Sequence, residues 1–179
     1  MRDYVKYAGI LFAITFVTAL LLGVVNNFTA PLIEQYNENK MKAAIETVVE
    51  GNIDISTANE YEVDGENTVQ QITSYMNDDG KVVYAVKTVP SGYAGDIEMM
   101  IGFDAEGMVT GVEIINMSET AGLGANAKGN TEWLSQFMGE GQEKLDAMTG
   151  ATITSKAVKK GVDEAREQIM KITGGAEIE

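Results

Sequence analysis

Between Lys6 and Glu34 the chain carries no charged side chain, and the 19 residues from Tyr7 to Val25 are predominantly apolar. As a helix rising ~1.5 Å per residue, that stretch is about 28 Å long, close to the roughly 30 Å of a bilayer's hydrocarbon core. A cleaved signal peptide is the competing reading. The positions near Ala30 carry the bulky Phe28 in place of a small-x-small cleavage pattern, and no cysteine is present to be lipidated. The stretch therefore reads as an uncleaved single-pass anchor. Arg2 and Lys6 favour a cytoplasmic N-terminus, against a weaker opposing pull from Lys40 and Lys42, so the soluble part is expected outside the cytoplasm.

Composition removes several chemistries. The chain has no cysteine, which excludes disulfides, thiolate zinc sites and Cys-ligated clusters. It has no histidine, so a Ser-His-Asp relay and a His-ligated metal are excluded too. A net charge of −14 argues against nucleic acid as a partner, because such binding depends on Lys and Arg neutralising phosphates. The carboxylates Asp78, Asp79, Asp104 and Glu106 read as turn residues, without the convergent spacing of a metal site.

Beyond the anchor, Thr29 and Pro31 are expected to cap and open a new helix running to about Val49, ended by Gly51. Residues 52–67 are polar and irregular, and read as a linker. Strands are predicted over Ile72–Met76, Lys81–Val89, Asp96–Phe103 and Met108–Ile115, where apolar residues alternate well enough for half-buried elements. Their connections are too short for parallel crossovers, so the sheet is an antiparallel meander. Thr131–Met138 and Ser155–Ile172, the latter with Val158, Val162, Ala165 and Ile169 at helical spacing, are expected to cover one sheet face. The fold class is α+β, with three parts: 1–28 tail and anchor, 29–66 stalk helix and linker, and 67–179 a globular domain.

Two loops carry the functional signal. One is the loop after the last strand, Ser118-Glu119-Thr120-Ala121-Gly122-Leu123-Gly124-Ala125-Asn126-Ala127-Lys128-Gly129, whose glycines allow close backbone approach to a ligand but also simply make a long turn. The other is Asp146-Ala147-Met148-Thr149-Gly150-Ala151-Thr152, just upstream of a predicted helix start, where N–H groups unpaired by the helix would face a phosphate. Its bland alternative is a loop leading into a helix capped by Thr154 or Ser155. Tyr93 and Trp133 are possible stacking partners for a planar ligand, although isolated aromatics more often anchor a core or surface.

The Asp146-x-x-Thr149-Gly150-Ala151-Thr152 pattern resembles the flavinylation motif of the FMN-binding domain shared by the G subunit of the Rnf electron-transport complex and the C subunit of sodium-pumping NADH:quinone oxidoreductase. Gly92-Tyr93-x-Gly95, Ile101-Gly102-Phe103-Asp104 and Ser118-Glu119-Thr120-x-Gly122-Leu123-Gly124 follow the family's run in order and spacing. Ala121 stands where the family pattern has proline, a departure that bears on the loop's rigidity rather than its identity.

The resemblance implies FMN held by a phosphoester to Thr152, with Asp146, Thr149, Gly150 and Ala151 shaping the motif. It also implies a flavin transferase that uses FAD as donor, which suits a threonine hydroxyl with no histidine nearby to activate it. Glu119, Thr120, Gly122, Leu123 and Gly124 are expected near the flavin ring, with Thr120 and loop N–H groups donating hydrogen bonds and Glu119 lowering the flavin potential if close. The implied function is electron relay within a membrane-bound Rnf-type complex, alongside that complex's other membrane subunits. The alternatives are the C subunit of a sodium-pumping NADH:quinone oxidoreductase, a stand-alone flavinylated surface reductase, and a non-redox anchored binding module.

Overall fold

The computed structural model describes residues 2–63, 65, 67–139 and 146–174. The chain divides into two compact units, Met1–Lys40 and Met41–Glu179. The expected end of the linker at Glu66 and the last residues of the C-terminal part lie outside the described residues.

The N-terminal unit is helical. Helix α1 spans Arg2–Val48 and contains Pro31 in its interior. The expectation of a separate helix opened by Thr29 and Pro31 is thereby corrected. The Thr29 hydroxyl is not a cap; it donates to the Val25 carbonyl one turn back, at 2.8 Å. Extending a helix is far cheaper than nucleating one, so a helix already running through the apolar stretch passes Pro31 and forfeits only local hydrogen bonding there. Over Tyr4–Val25 the large apolar side chains, among them Leu11, Phe16, Leu21 and Val25, are exposed. A core helix of a soluble protein would bury them. The helix is long and apolar enough to cross a membrane.

The second unit is an antiparallel sheet in the order β1-β2-β3-β4-β5, with strands Ile53–Tyr61 (β1), Val69–Asn77 (β2), Val82–Thr88 (β3), Ile97–Phe103 (β4) and Val109–Met117 (β5). The meander expected from the short connections is present. Strand β1 was not anticipated, since residues 53–61 read as linker. It is an edge strand with no buried position, so the alternation that betrays a half-buried strand is missing. Backbone pairing holds it instead, across an irregularity between Asp54 and Asn59, helped by the Thr57 hydroxyl, which accepts from the Met76 N–H at 2.9 Å.

One sheet face packs against helix α3, Thr152–Thr173. Ile72, Val86, Ile101, Phe103 and Ile114 from the strands meet Val158, Val162, Ala165 and Ile169, all essentially inaccessible to solvent. Burial of each larger side chain is worth about 1.5–3 kcal/mol, which makes this layer the main source of the domain's stability. The Thr131–Met138 segment contributes a single turn of helix, α2 (Thr131–Leu134), followed by a 3-10 turn at Ser135–Phe137, and buries Leu134 and Phe137. The opposite face is also covered. Ala44, Val48 and Val49 at the end of α1 pack on Tyr75, Val83, Ala85 and Met100. Gly102 and Gly111, paired across β4 and β5, make this approach possible, because a Cβ on either would run into the Val48 backbone. The Thr110 hydroxyl donates to the Val48 carbonyl at 2.5 Å and secures the contact.

Candidate functional site

Helix α3 begins at Thr152, three residues before the predicted start, so Thr152 is its first helical residue and Ala151 its N-cap. No side chain caps this end. The hydroxyls proposed as caps are used elsewhere. Thr154 donates to Glu119 Oε2 at 2.7 Å, and Ser155 donates to the Ala151 carbonyl at 2.9 Å while accepting from the Met148 N–H at 3.1 Å. A helix start leaves the N–H groups of its first residues without intrahelical acceptors, and the macrodipole places partial positive charge there. Thr152 is exposed at that end, while Ala151, Thr154 and Ser155 are buried beneath it.

A cleft of about 500 Å³ opens over this helix end, within the 300–1,000 Å³ range usual for small-ligand sites. Its walls come from three segments distant in sequence: Tyr93 from the turn after β3; Glu119, Thr120, Leu123 and Gly124 from the loop after β5; and Gly150, Ala151, Thr152, Ile153 and Thr154 from the helix start. Tyr93, Leu123 and Ile153 are 68%, 44% and 54% exposed. Three large, mostly apolar side chains left in solvent beside the Thr152 hydroxyl form a surface suited to a planar, largely apolar group.

Seven of the ten residues expected at the site line this cleft: Glu119, Thr120, Leu123, Gly124, Gly150, Ala151 and Thr152. Gly122 sits at φ +80° in the loop's turn, with open space around it, and shapes the loop without lining the cleft. Thr149 is exposed next to Gly150, outside the lining. Asp146 belongs to a different depression, lined by Asn130, Glu132, Trp133, Ser135 and Gln136. The loop N–H groups expected as donors are partly spent internally, since Leu123 and Ala125 both donate to the Thr120 carbonyl at 3.2 Å.

Of the two aromatic residues considered, Tyr93 lines the cleft and Trp133 does not. Trp133 packs edge-on against Phe137, with ring centroids 5.3 Å apart, and its Nε1–H donates to the Asp146 carbonyl at 2.7 Å. Ile153 was missed by the sequence reading. Its exposed position in the first turn of α3 becomes visible only when the helix is known to start at Thr152.

Residues 92–167 match the model of the FMN-binding domain family. The chain is 36% identical, over 88% of its length and 87% of the relative's, to the G subunit of the Na(+)-translocating ferredoxin:NAD(+) oxidoreductase complex of Acetobacterium woodii. It is 39% identical, over 52% of its length and 57% of the relative's, to the proton-translocating counterpart of Clostridium ljungdahlii. Its fold is similar to the crystal structure of the C subunit of Na(+)-translocating NADH-quinone reductase from Parabacteroides distasonis, with a TM-score of 0.57 and 20% identity, covering 77% of this chain and 95% of that one. The family match begins at Gly92 and so takes in all three walls of the cleft, and the Acetobacterium woodii relative shares most of the chain's extent; the chain belongs to the family of G subunits of Rnf-type ion-translocating oxidoreductase complexes, which carry the FMN-binding domain.

Proposed function

We propose that this chain is the electron-relaying flavoprotein subunit of an Rnf-type ferredoxin:NAD oxidoreductase complex, with FMN held covalently on the Thr152 hydroxyl. The observation that carries this reading is the exposed Thr152 at the uncapped N-terminus of a 22-residue helix, inside a cleft rimmed by Tyr93, Leu123 and Ile153. The donor set fits the cofactor at both ends. First-turn N–H groups and the helix dipole suit a phosphate, and the exposed apolar rim suits a flat ring system. FMN would supply the one- and two-electron chemistry that no side chain of this chain offers.

Attachment requires an outside catalyst. A flavin transferase would join Thr152 Oγ1 to the FMN phosphorus as the pyrophosphate bond of FAD breaks, with AMP leaving and the hydroxyl proton passing to the transferase's base. A permanent bond suits a domain held by α1 on the outer side of the membrane, where a dissociable cofactor would be lost by dilution. Ferredoxin and NAD would react on other subunits, and this chain would pass electrons between them. The extent of the match to the Acetobacterium woodii relative favours this assignment over the C subunit of a sodium-pumping quinone reductase, to which the likeness is one of fold.

Co-expression with a flavin transferase, followed by a denaturing gel viewed for flavin fluorescence, tests the reading. The expected result is a fluorescent band that disappears in Thr152→Ala. A fluorescent band that persists in that variant, or a wild-type chain without flavin mass, overturns it.

A further inference from the structure

Apart from the electrostatic influence expected of Glu119 near a flavin, its carboxylate is a hydrogen-bond acceptor for three donors. Oε1 accepts from the Tyr93 N–H at 2.8 Å and from the Ala94 N–H at 3.1 Å, and Oε2 accepts from the Thr154 hydroxyl at 2.7 Å. These donors lie on two separate segments, and Glu119 itself belongs to a third. The three are the same three that form the walls of the cleft.

The backbone on both sides is cleared for this carboxylate. A Cβ at Gly92 would collide with Glu119 Oε1 and approach the Gly95 carbonyl oxygen to 2.9 Å. A Cβ at Gly124 would come within 2.5 Å of Thr154 Oγ1 and 2.7 Å of Glu119 Oε2. Real side-chain carbons do not tolerate such distances, so both glycines are required by where the carboxylate sits. The turn it grips has closures of its own: the Gly92 N–H donates to the Gly95 carbonyl at 2.8 Å, and the Ser91 hydroxyl donates to Asp96 Oδ1 at 2.9 Å. Glu119 therefore receives a preformed unit carrying Tyr93 and fastens it to the first turn of α3.

We propose that Glu119 is the positioning residue of this cleft, a carboxylate staple that fixes the Tyr93 turn relative to the helix start bearing Thr152. The fastening is a property of the flavin-free fold; its consequence for the cofactor rests on the flavin reading proposed above. Because geometry and not charge is required, glutamine suffices at this position. Its amide oxygen accepts from the two N–H groups, and its NH₂ donates to the Thr154 hydroxyl.

The test uses the full chain in detergent micelles, first without transferase. Amide exchange followed by NMR is expected to find the Tyr93 and Ala94 N–H protected, to accelerate by about tenfold or more in Glu119→Ala, and to remain near wild type in Glu119→Gln. After co-expression with the transferase, iodide quenching of the attached flavin is expected to rise in Glu119→Ala and not in Glu119→Gln. Unchanged exchange in Glu119→Ala, or a Glu119→Gln variant as exposed as Glu119→Ala, overturns the proposal. Should Glu119→Ala fail to fold, Thr154→Val cuts the helix arm alone. It is expected to raise iodide quenching with the Tyr93 and Ala94 N–H still protected, and unchanged quenching overturns the proposal. A wild-type chain that protects both amides but accepts no flavin refutes the flavin reading and leaves the staple standing.

Discussion

Asp146 and Thr152 sit six residues apart in one motif, yet they are presented in opposite ways. At Asp146 the backbone is gripped and the side chain is exposed: Trp133 Nε1–H donates to its carbonyl at 2.7 Å, and its N–H donates to Gln136 Oε1 at 3.0 Å. At Thr152 the hydroxyl is exposed, above a helix start whose neighbouring hydroxyls are bound into the fold. The two residues line different depressions. A motif that reads as one string is thus two surfaces. Under the flavin attachment proposed above, one would be read by the transferase and the other would hold the flavin.

The largest effect that separates the two ends is expected from Thr152→Ala, which should abolish attached flavin entirely by intact mass while leaving the folded domain unchanged. Gly150 links the ends at φ +76°, and a Cβ there would lie 2.9 Å from Leu123 Cδ2. Gly150→Ala is expected to cost about 1–2 kcal/mol in thermal or urea unfolding and to reduce flavin attachment, because it strains the loop at the cleft.

Farther along α3, Glu164 accepts from both the N–H and the hydroxyl of Thr68, at 2.7 and 2.5 Å, tying the helix to the segment that leads into β2. Burial pushes its carboxyl upward, but the Thr68 hydrogen bonds and Lys160 outweigh burial and leave it below the ordinary value of 4.5. A lowered folded value means this contribution is fully present above about pH 4.5 and is lost as pH falls through the folded value. Unfolding measured against pH should therefore show a loss on the acid side that is smaller in Glu164→Gln, itself less stable at neutral pH by about 1 kcal/mol.

Trp133→Phe keeps the edge contact with Phe137 and removes the donor to Asp146, and is expected to cost about 1 kcal/mol with flavin attachment slowed in a timed reaction with transferase. Asp146→Ala should be smallest in stability, within about 0.5 kcal/mol, yet should slow attachment. If it does not, the exposed carboxylate is not read.

The sequence pattern placed β3 and β4 correctly but read them as half-buried, whereas they are buried along nearly their whole length because α3 covers one sheet face and the end of α1 the other; α3 was legible from Val158, Val162, Ala165 and Ile169 at helical spacing. Strand β1 was not, because an edge strand is held by main-chain pairing that leaves no trace in side-chain polarity. Pro31 misled for a related reason. Its local preference marks a helix start, and the preference yields to a helix already propagating from the anchor. The start of α3 was misplaced by three residues because no capping side chain announces it.

The length of the uncharged stretch, the antiparallel order of the strands and the position of Thr152 in its motif are all readable along the chain, since each depends on residues close in sequence. The cleft is not, because it depends on contacts across the fold. Glu119 meets Tyr93 across 26 residues and Thr154 across 35. No local pattern reveals that its carboxylate is spent on those partners, that Trp133 serves Asp146 and not the cleft, or that Ile153 completes the rim. Those assignments follow from how α3 packs on the sheet, which brings separate loops to one helix end and determines which polar groups are satisfied there.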